Sequence, residues 1–467
     1  MKVSVLPTYL VRVLTAALIS TAALADDKPV SYYKDVFPLF KRSCTGCHHP
    51  GKLKGQLDLT THAALLKGGK HGSPIAAGDP KKSALVAEVS GDEPNMPEEG
   101  DPLAKDEIAL IERWITEGAK DDTPASANSF KLATAPSYAA PPVISALAYS
   151  QDGKLLAVSG YHEVLLHNAA ESNLIARLVG ESPRIESFSF SPDGKYLAVA
   201  GSAPARFGEI QIWDVSSNAL TQATNLTPAK AWKVSSDSVY GISWSLQSDR
   251  VAIGCADKSV RIIAVADGKE LLKFDNHSDW VFGTLWTLDG KRILTGSRDR
   301  AMKMIDAKTS QFIDDINKLI EPVLCIARHP KEDVVVYGGE LGMSRTYRIS
   351  DNQSRTAANN DVNLRKEFER LPGPVHAVAY NADGSLIAIG GAGPEVRLHD
   401  SKEAKRVATL KGHDGAIFAL AFHPQAKEVA TGGFDGYIRV YDTAKGELLR
   451  SFVPVPLSKE PIQRASK

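Results

Sequence analysis

The chain has 467 residues, more than one hydrophobic core ordinarily organises, so two or three domains are expected. Lys plus Arg and Asp plus Glu each number 55, which excludes a global charge that would select nucleic acid or an anionic membrane. The 43% hydrophobic content is that of an ordinary soluble globular protein.

Residues 1–25 have the pattern of a secretory signal: Lys2 and Arg12 are basic, VLTAALISTAAL is apolar, and Ala23-Leu24-Ala25 precedes Asp26-Asp27 with small residues where cleavage needs them. A mature start near Asp26 follows. The apolar run is shorter than the ~20 residues of a spanning helix. No later segment is long and apolar enough to span, so no transmembrane segment is expected in the mature chain. The expected location is exported, periplasmic in a bacterium.

Next comes CTGCHHP, residues 44–50, preceded by YYKDVFPLFKRS, which has a helical pattern from about Val36. Cys44, Cys47 and His48 form C-x-x-C-H. Two thiols three apart on one turn can each add to a vinyl group of one porphyrin, and the following imidazole then stands beneath the iron. A thioredoxin-like dithiol would sit at the end of a strand in a βαβ unit, and a zinc site needs a second ligand pair that the mature chain lacks. The expected cofactor is therefore one covalently attached haem c, held by Cys44, Cys47 and His48.

For the second axial position, the stretch from Asp26 to residue 125 offers Met96 in EPNMPEEG, and His49, His62 and His71. His49 adjoins the proximal ligand and cannot cross the ring. Met96, in a Pro-bracketed loop, can pass over the opposite face, where a thioether raises the reduction potential. An open or bis-histidine site is the alternative. Further on, AKDEIALIERWITEGA (104–119) places Ile108, Ile111, Trp114 and Ile115 on one helical face, expected to pack on Val36, Phe37 and Phe40. Cys255 and Cys325 lie in apolar runs of non-adjacent repeats and are expected as small buried hydrophobes, not a disulfide.

The segments VFPLFKRSCTGCH, KLKGQLDL, LLKGGKHGSPIAAGDPKKSAL, NMPEEGDPL and EIALIERWITEGA resemble, in order and spacing, the cytochrome c-like domain typical of planctomycete proteins. The resemblance implies His48 and Met96 as axial ligands and electron transfer as the role. Glu98 departs from the family pattern, which usually repeats proline after Met-Pro. Lys52, Lys54, Lys67, Lys70, Lys81 and Lys82 follow the haem cysteines, while Asp92, Glu93, Glu98, Glu99 and Asp101 surround Met96. Such an asymmetry would orient docking on a redox partner and weaken with salt.

A Pro-, Ala- and Ser-rich linker, 123–142, leads into a periodic region. SQDGKLLAVSG, SPDGKYLAVAG, SLQSDRVAIGC, TLDGKRILTGS, HPKEDVVVYGG, NADGSLIAIGG and HPQAKEVATGG align on Asp152, Asp193, Gln247, Asp289, Lys331, Asp383 and Gln425, with offsets of 41, 54, 42, 42, 52 and 42. Each of the seven units carries short strands separated by turns, the mark of a propeller blade. The region resembles the WD-repeat family: Trp213-Asp214 is an intact signature, Ile305-Asp306, His399-Asp400 and Tyr441-Asp442 are weakened forms, and Gly412-His413 is the other landmark. His277, Thr295 and Asp299, like His413, Thr431 and Asp435, stand where that family builds a hydrogen-bond network, so no catalytic role is assigned to them. Insertions near 202–208, 222–236 and 352–372 are candidate binding loops.

The expected fold is mainly β with a small all-α domain: signal 1–25, cytochrome c-like helical domain 26–122, linker 123–142, and a seven-bladed WD-repeat β-propeller over 143–467. The expected function is electron transfer through one haem, with an unidentified periplasmic redox partner and a protein partner on the propeller. The alternative is a haem-containing oxidoreductase whose propeller binds a substrate or second cofactor. Nucleic acid is not an expected partner.

Overall fold

The computed structural model describes residues 28–49, 52–98, 100–124, 134–222, 226–315, 319–349, 361 and 363–458. The expected signal segment lies outside them, as do parts of the linker and of the 352–372 insertion. Among the described residues, no helix is long and apolar enough to cross a membrane. The chain divides into two compact units, Met1–Pro124 and Ala125–Lys467.

In the first unit, helical structure begins before Val36. A π-helical turn, Tyr32–Val36, runs directly into α1, Phe37–Ser43. Ser31 starts it, its hydroxyl accepting the Lys34 N–H at 2.9 Å. Helix α2, His62–Lys67, is capped by Thr61 and stops at Gly68, where φ is 75°. A Cβ at Gly68 would lie 2.1 Å from the Gly72 carbonyl oxygen, so only glycine fits. After α3, Ala84–Val89, comes α4, Lys105–Thr116, whose Glu107 carboxylate accepts the Ala104 N–H at 3.0 Å. Asp106 and Glu107 also complement the positive end of the helix dipole. Ile111, Trp114 and Ile115 are buried with Tyr32, Val36 and Phe40, and Ile108 and Phe37 fill the margin. Trp114 stacks on Tyr32 at 5.3 Å and meets Phe40 edge-on at 6.4 Å. The expected packing of the late helix on the early one is present.

The second unit is almost entirely antiparallel sheet. Five four-stranded sheets follow one another, Val239–Phe274, Val281–Asp315, Val323–Glu367, Val375–Leu410 and Ile417–Phe452, each with its strands hydrogen-bonded in chain order. The first two repeats are not separate sheets. One long strand, Leu174–Phe190, pairs through Leu174–Val179 with Tyr161–Asn168 and through Arg184–Phe190 with Tyr196–Ala203, giving a continuous seven-stranded sheet. Gly180 lies in that strand where a Cβ would fall 2.2 Å from the Gln211 side-chain nitrogen, so the absence of a side chain lets the strand run on.

The aligned turns share one chemistry. The Ser150, Ser191 and Thr287 hydroxyls donate to Asp152, Asp193 and Asp289, whose carboxylates accept N–H groups two residues on. Gly153, Gly194 and Gly290 then take positive φ. At Gln247 the Ser245 hydroxyl donates instead to Asp249, and at Lys331 and Gln425 a histidine takes the place of the hydroxyl: His329 Nδ1 accepts the Lys331 and Glu332 N–H groups, and His423 Nδ1 those of Gln425 and Ala426.

The succession of sheets closes on itself. Ile144 donates its N–H to Gly433 at 3.0 Å, His423 Nε2 donates to the Gly153 carbonyl at 3.0 Å, and Arg450 donates to the Ala169 carbonyl at 2.6 Å. Leu156 and Val158 share a core with Ala430, Ile438 and Val440. Tyr138, inside the stretch expected as linker, is buried, pairs with Leu457 and donates to Glu163 at 2.7 Å. The described parts of the insertions contribute strands as well. Ala203 pairs with Phe207, which makes 202–208 the tip of a lengthened hairpin, and Lys230–Ser235 and Leu364–Glu367 are outer strands.

His399, in a weakened signature, is fully buried against Phe368, and neither ring nitrogen meets a partner among the described residues. Burial above all, with Arg397 and Arg406 adding to it and Glu369 opposing, pushes its pKa from 6.5 down to about 4. The unfolded chain takes up this proton near pH 6.5 and the folded chain only near 4. Its contribution is therefore complete above pH 6.5 and is lost as pH falls toward 4. Urea unfolding of His399→Phe beside the natural chain should show the natural chain losing about 2 kcal/mol more between pH 7 and pH 5. Equal pH slopes would count against this.

Candidate functional site

Helix α1 ends at Cys44, whose N–H donates to Phe40 at 2.8 Å. The next turn closes on the same residue, since the Cys47 and His48 N–H groups both donate to the Cys44 carbonyl at 3.1 Å. Both thiols are free and half-buried. Burial pushes the Cys44 thiol up to about 11, with Arg42 opposing. At neutral pH it is a thiol and not the thiolate that a redox dithiol requires.

His48 is held firmly. It pairs with Leu53 in a two-residue ladder, its carbonyl accepts the Leu59 N–H at 2.9 Å, and its Nδ1 lies 3.0 Å from the Lys54 carbonyl. A carbonyl only accepts, so Nδ1 carries the proton and Nε2 carries the lone pair. Among the described residues, Nε2 has no hydrogen-bond partner. Met96 donates its N–H to Glu88 at 2.9 Å, and its side chain packs, half-buried like Cys44, against the margin of the helical core. Two residues on, the Glu98 carboxylate accepts from Lys54 Nζ at 2.5 Å. Lys54 therefore touches both halves of the site, with its carbonyl on His48 and its ammonium on the Met96 loop.

The other histidines of this unit lie in different settings. His62 Nε2 donates to the Ala119 carbonyl at 2.7 Å, and the ring lies edge-on to Tyr32 at 4.9 Å and Trp114 at 5.9 Å. It belongs to the core. His71 is exposed. The side chain of His49 lies outside the description. Two unbridged thiols on one turn, an imidazole with its tautomer fixed, and a thioether on the same core margin form a donor set that fits a covalently attached haem. Among the described residues, no group of three or more His, Cys, Asp or Glu could hold a bare metal ion. The basic and acidic sets meet where Lys54 pairs with Glu98, while Lys82 pairs locally with Asp79 at 2.9 Å.

In the second unit both polar trios are joined. His277 bonds to Asp299 and to Thr295, each at 2.8 Å. His413 bonds to Asp435 at 3.1 Å and to Thr431 at 2.7 Å, and Arg439 adds a bond to Asp435 at 2.6 Å. Every ring nitrogen in these trios is engaged by a side chain of the same sheet, the satisfied buried network expected at the repeat spacing. Cys255 is buried in sheet and Cys325 is half-buried with its thiol on the Val375 carbonyl at 3.6 Å.

A feature missed from sequence is a cavity of about 600 Å³ whose lining includes Ser145, Glu186, Tyr240, Phe282, Leu324, His376 and Phe418. These residues are spaced by 41, 54, 42, 42, 52 and 42, the same offsets as the turns, so the alignment already held the signal. Tyr240, Phe282, Leu324, His376 and Phe418 are each the second residue of the first strand of their sheet. Burial raises the Glu186 pKa, and its carboxylate accepts from Ser202 at 2.9 Å.

Comparison with known proteins finds two family models in different stretches of the chain. Residues 44–100 match the family model described as Planctomycete cytochrome C, which spans Cys44 through Met96 but not α4. Residues 268–306 and 404–442 match the WD domain, G-beta repeat. The chain is similar to Eukaryotic translation initiation factor 3 subunit I of Caenorhabditis elegans, at 31% identity over 24% of this chain and 41% of that protein. It is similar to Periodic tryptophan protein 2 of Saccharomyces cerevisiae, at 24% identity over 28% of this chain and 13% of that protein. WD repeat-containing protein 1 of Xenopus tropicalis is 28% identical over 17% of this chain and 13% of its own length. The chain thus spans less than half the length of these curated relatives. The WD repeats and the self-closing succession of sheets support a β-propeller.

Asp435→Ala strips an acceptor from His413, Arg439 and the Asp414 and Tyr437 N–H groups. Urea unfolding followed by tryptophan fluorescence should report a loss of about 1–3 kcal/mol. An unchanged midpoint would show that the trio adds nothing to stability.

Proposed function

We propose that this chain is an exported electron-transfer protein: one haem c attached through Cys44 and Cys47, with His48 and Met96 as axial ligands, joined to a seven-bladed WD-repeat propeller that docks a protein partner. The observation that carries the reading is the C-x-x-C-H turn at the end of α1, with His48 Nδ1 pinned to the Lys54 carbonyl. The match of residues 44–100 to the Planctomycete cytochrome C model supports it.

Bound there, haem would supply a one-electron ferric/ferrous couple. The chain's own residues do the rest. Cys44 and Cys47 would each add a thiol S–H across a vinyl group. The Lys54 carbonyl keeps the His48 lone pair on Nε2, and Met96 would fill the remaining position with a soft thioether that favours the reduced state. Held by both His48 and Met96, the haem would offer no open position to a substrate and would serve electron exchange with a periplasmic redox partner.

Seven blades are supported by the seven repeat-equivalent residues that line one cavity. In an up-and-down sheet, the second-to-third-strand turns and the segments entering each first strand lie at the same end. That end carries exposed Tyr161, Trp280, Ile320, Leu341, Phe434 and Tyr437, with Ile320 and Phe434 each 63% exposed. The opposite end carries the Asp-Gly turns. The apolar end is the proposed docking face.

Expression in a host with haem-attachment machinery should yield a coloured chain whose mass is increased by one haem and remains so after denaturation. Cys44→Ala with Cys47→Ala should lose the attached pigment. Met96→His should keep the pigment and lower the reduction potential. A natural chain that emerges colourless defeats the proposal.

A further inference from the structure

Lys54 is the one described residue that bonds both His48 and the Met96 loop, and Glu98 supplies its side-chain partner. We propose that the Lys54–Glu98 ion pair is a latch that holds the Met96 loop closed over the site, so that the thioether competes successfully with outside ligands. The inference rests on the haem reading above and goes beyond it, because it assigns a positioning role to the residue at which this chain departs from the Met-Pro-Pro pattern.

The physical case has three parts. First, among the described residues the Met96 backbone makes one tie, its N–H to the Glu88 carbonyl at 2.9 Å, and its side chain is half-buried, so a charge contact at Glu98 can add to what holds the loop. Second, Lys54 is itself anchored: its N–H donates to the Cys47 carbonyl at 3.2 Å and its own carbonyl holds His48, so its side chain starts from a fixed base. Third, a proline at 98 would stiffen the loop, whereas glutamate does not, and a charge contact from the opposite side of the site replaces that stiffness. The pair is exposed, with Lys54 at 36% and Glu98 at 57%, so its effect is small and falls with salt.

Lys54 and Glu98 are positioning residues, and the test reads ligand competition and not turnover. The haem-loaded full chain, Lys54→Met, Glu98→Gln and the charge swap Lys54→Glu with Glu98→Lys are titrated with imidazole at low and at about 1 M salt, while the methionine-to-iron charge-transfer band is followed. The single variants should bind imidazole about twofold to fivefold more tightly than the natural chain at low salt, with a weakened band. The difference should vanish at high salt, and the swap should restore natural affinity. Side-chain exchange at Lys54 keeps its carbonyl, so the His48 bond is common to all four proteins. Equal imidazole affinities in coloured proteins at low salt overturn the latch alone. A colourless natural chain, or a coloured one lacking the methionine band, overturns the ligand assignment and the latch with it.

Discussion

The structure of the larger unit depends on one constraint: its sheets are apolar on both faces. In Arg250–Cys255, Val251 and Ile253 point into a core shared with Ala198, Ile210 and Ile212 of the preceding sheet, while Ala252 points into one shared with Val281, Trp286 and Ile293 of the next. A sheet so built cannot be stable alone, because whichever face lacks a neighbour leaves its side chains in water. An open row would expose one face at each end. Packing the last sheet against the first removes both, which is why Leu156 and Val158 share a core with Ala430 and Val440 although nearly 300 residues apart in the chain.

Polar groups inside such a stack cost free energy unless they are satisfied. The two trios meet that condition through His277 and His413, each engaged at both nitrogens. The turns meet it through hydroxyl–aspartate pairs, or through His329 and His423 where a histidine takes the place of the hydroxyl. His399 does not meet it, and its imidazole is the group whose protonation burial resists most plainly. The same accounting governs the helical unit, where His62 is absorbed by the Ala119 carbonyl and His48 by that of Lys54. The two histidines differ in what the second nitrogen faces: for His62 Nδ1, the Asp121 carboxylate at 3.8 Å; for His48 Nε2, no described partner.

Repeat spacing was legible because the turn has a fixed chemistry that few residues supply, and the C-x-x-C-H turn because its spacing is itself the reagent. The face of α4 was legible from its period of apolar residues. What was not legible depended on distant partners. Tyr32–Val36 is helical because Tyr32 stacks on Trp114, far along the chain, and local pattern does not reveal that. Ser202–Gly208, with its proline and glycine, has the composition of a loop. It is a hairpin because Gly208 packs where a Cβ would lie 2.2 Å from the Asp237 carbonyl oxygen, a contact absent from the hairpin's own sequence. The run-through strand Leu174–Phe190 likewise turns on Gly180 passing Gln211.

The weakened signatures follow from the same constraint. Trp213 fills its place with a bond from its indole N–H to Gln211 at 3.0 Å, and Tyr441 fills the equivalent place with a bond from its hydroxyl to the Lys411 carbonyl at 2.8 Å. Ile305 fills it with no polar atom at all and remains fully buried. The position therefore demands volume between sheets, and hydrogen bonding there follows whichever side chain supplies that volume. A stack held by volume on both faces tolerates such exchange repeat by repeat. The cavity positions, which carry residues as unlike as Ser145, Glu186 and Phe418, line a void on one side and touch the neighbouring sheet at their margins, as where Tyr240 lies 5.1 Å from Phe282 and His376 5.0 Å from Phe418. Variation at those positions changes the chemistry of the interior without disturbing the contacts that close the stack.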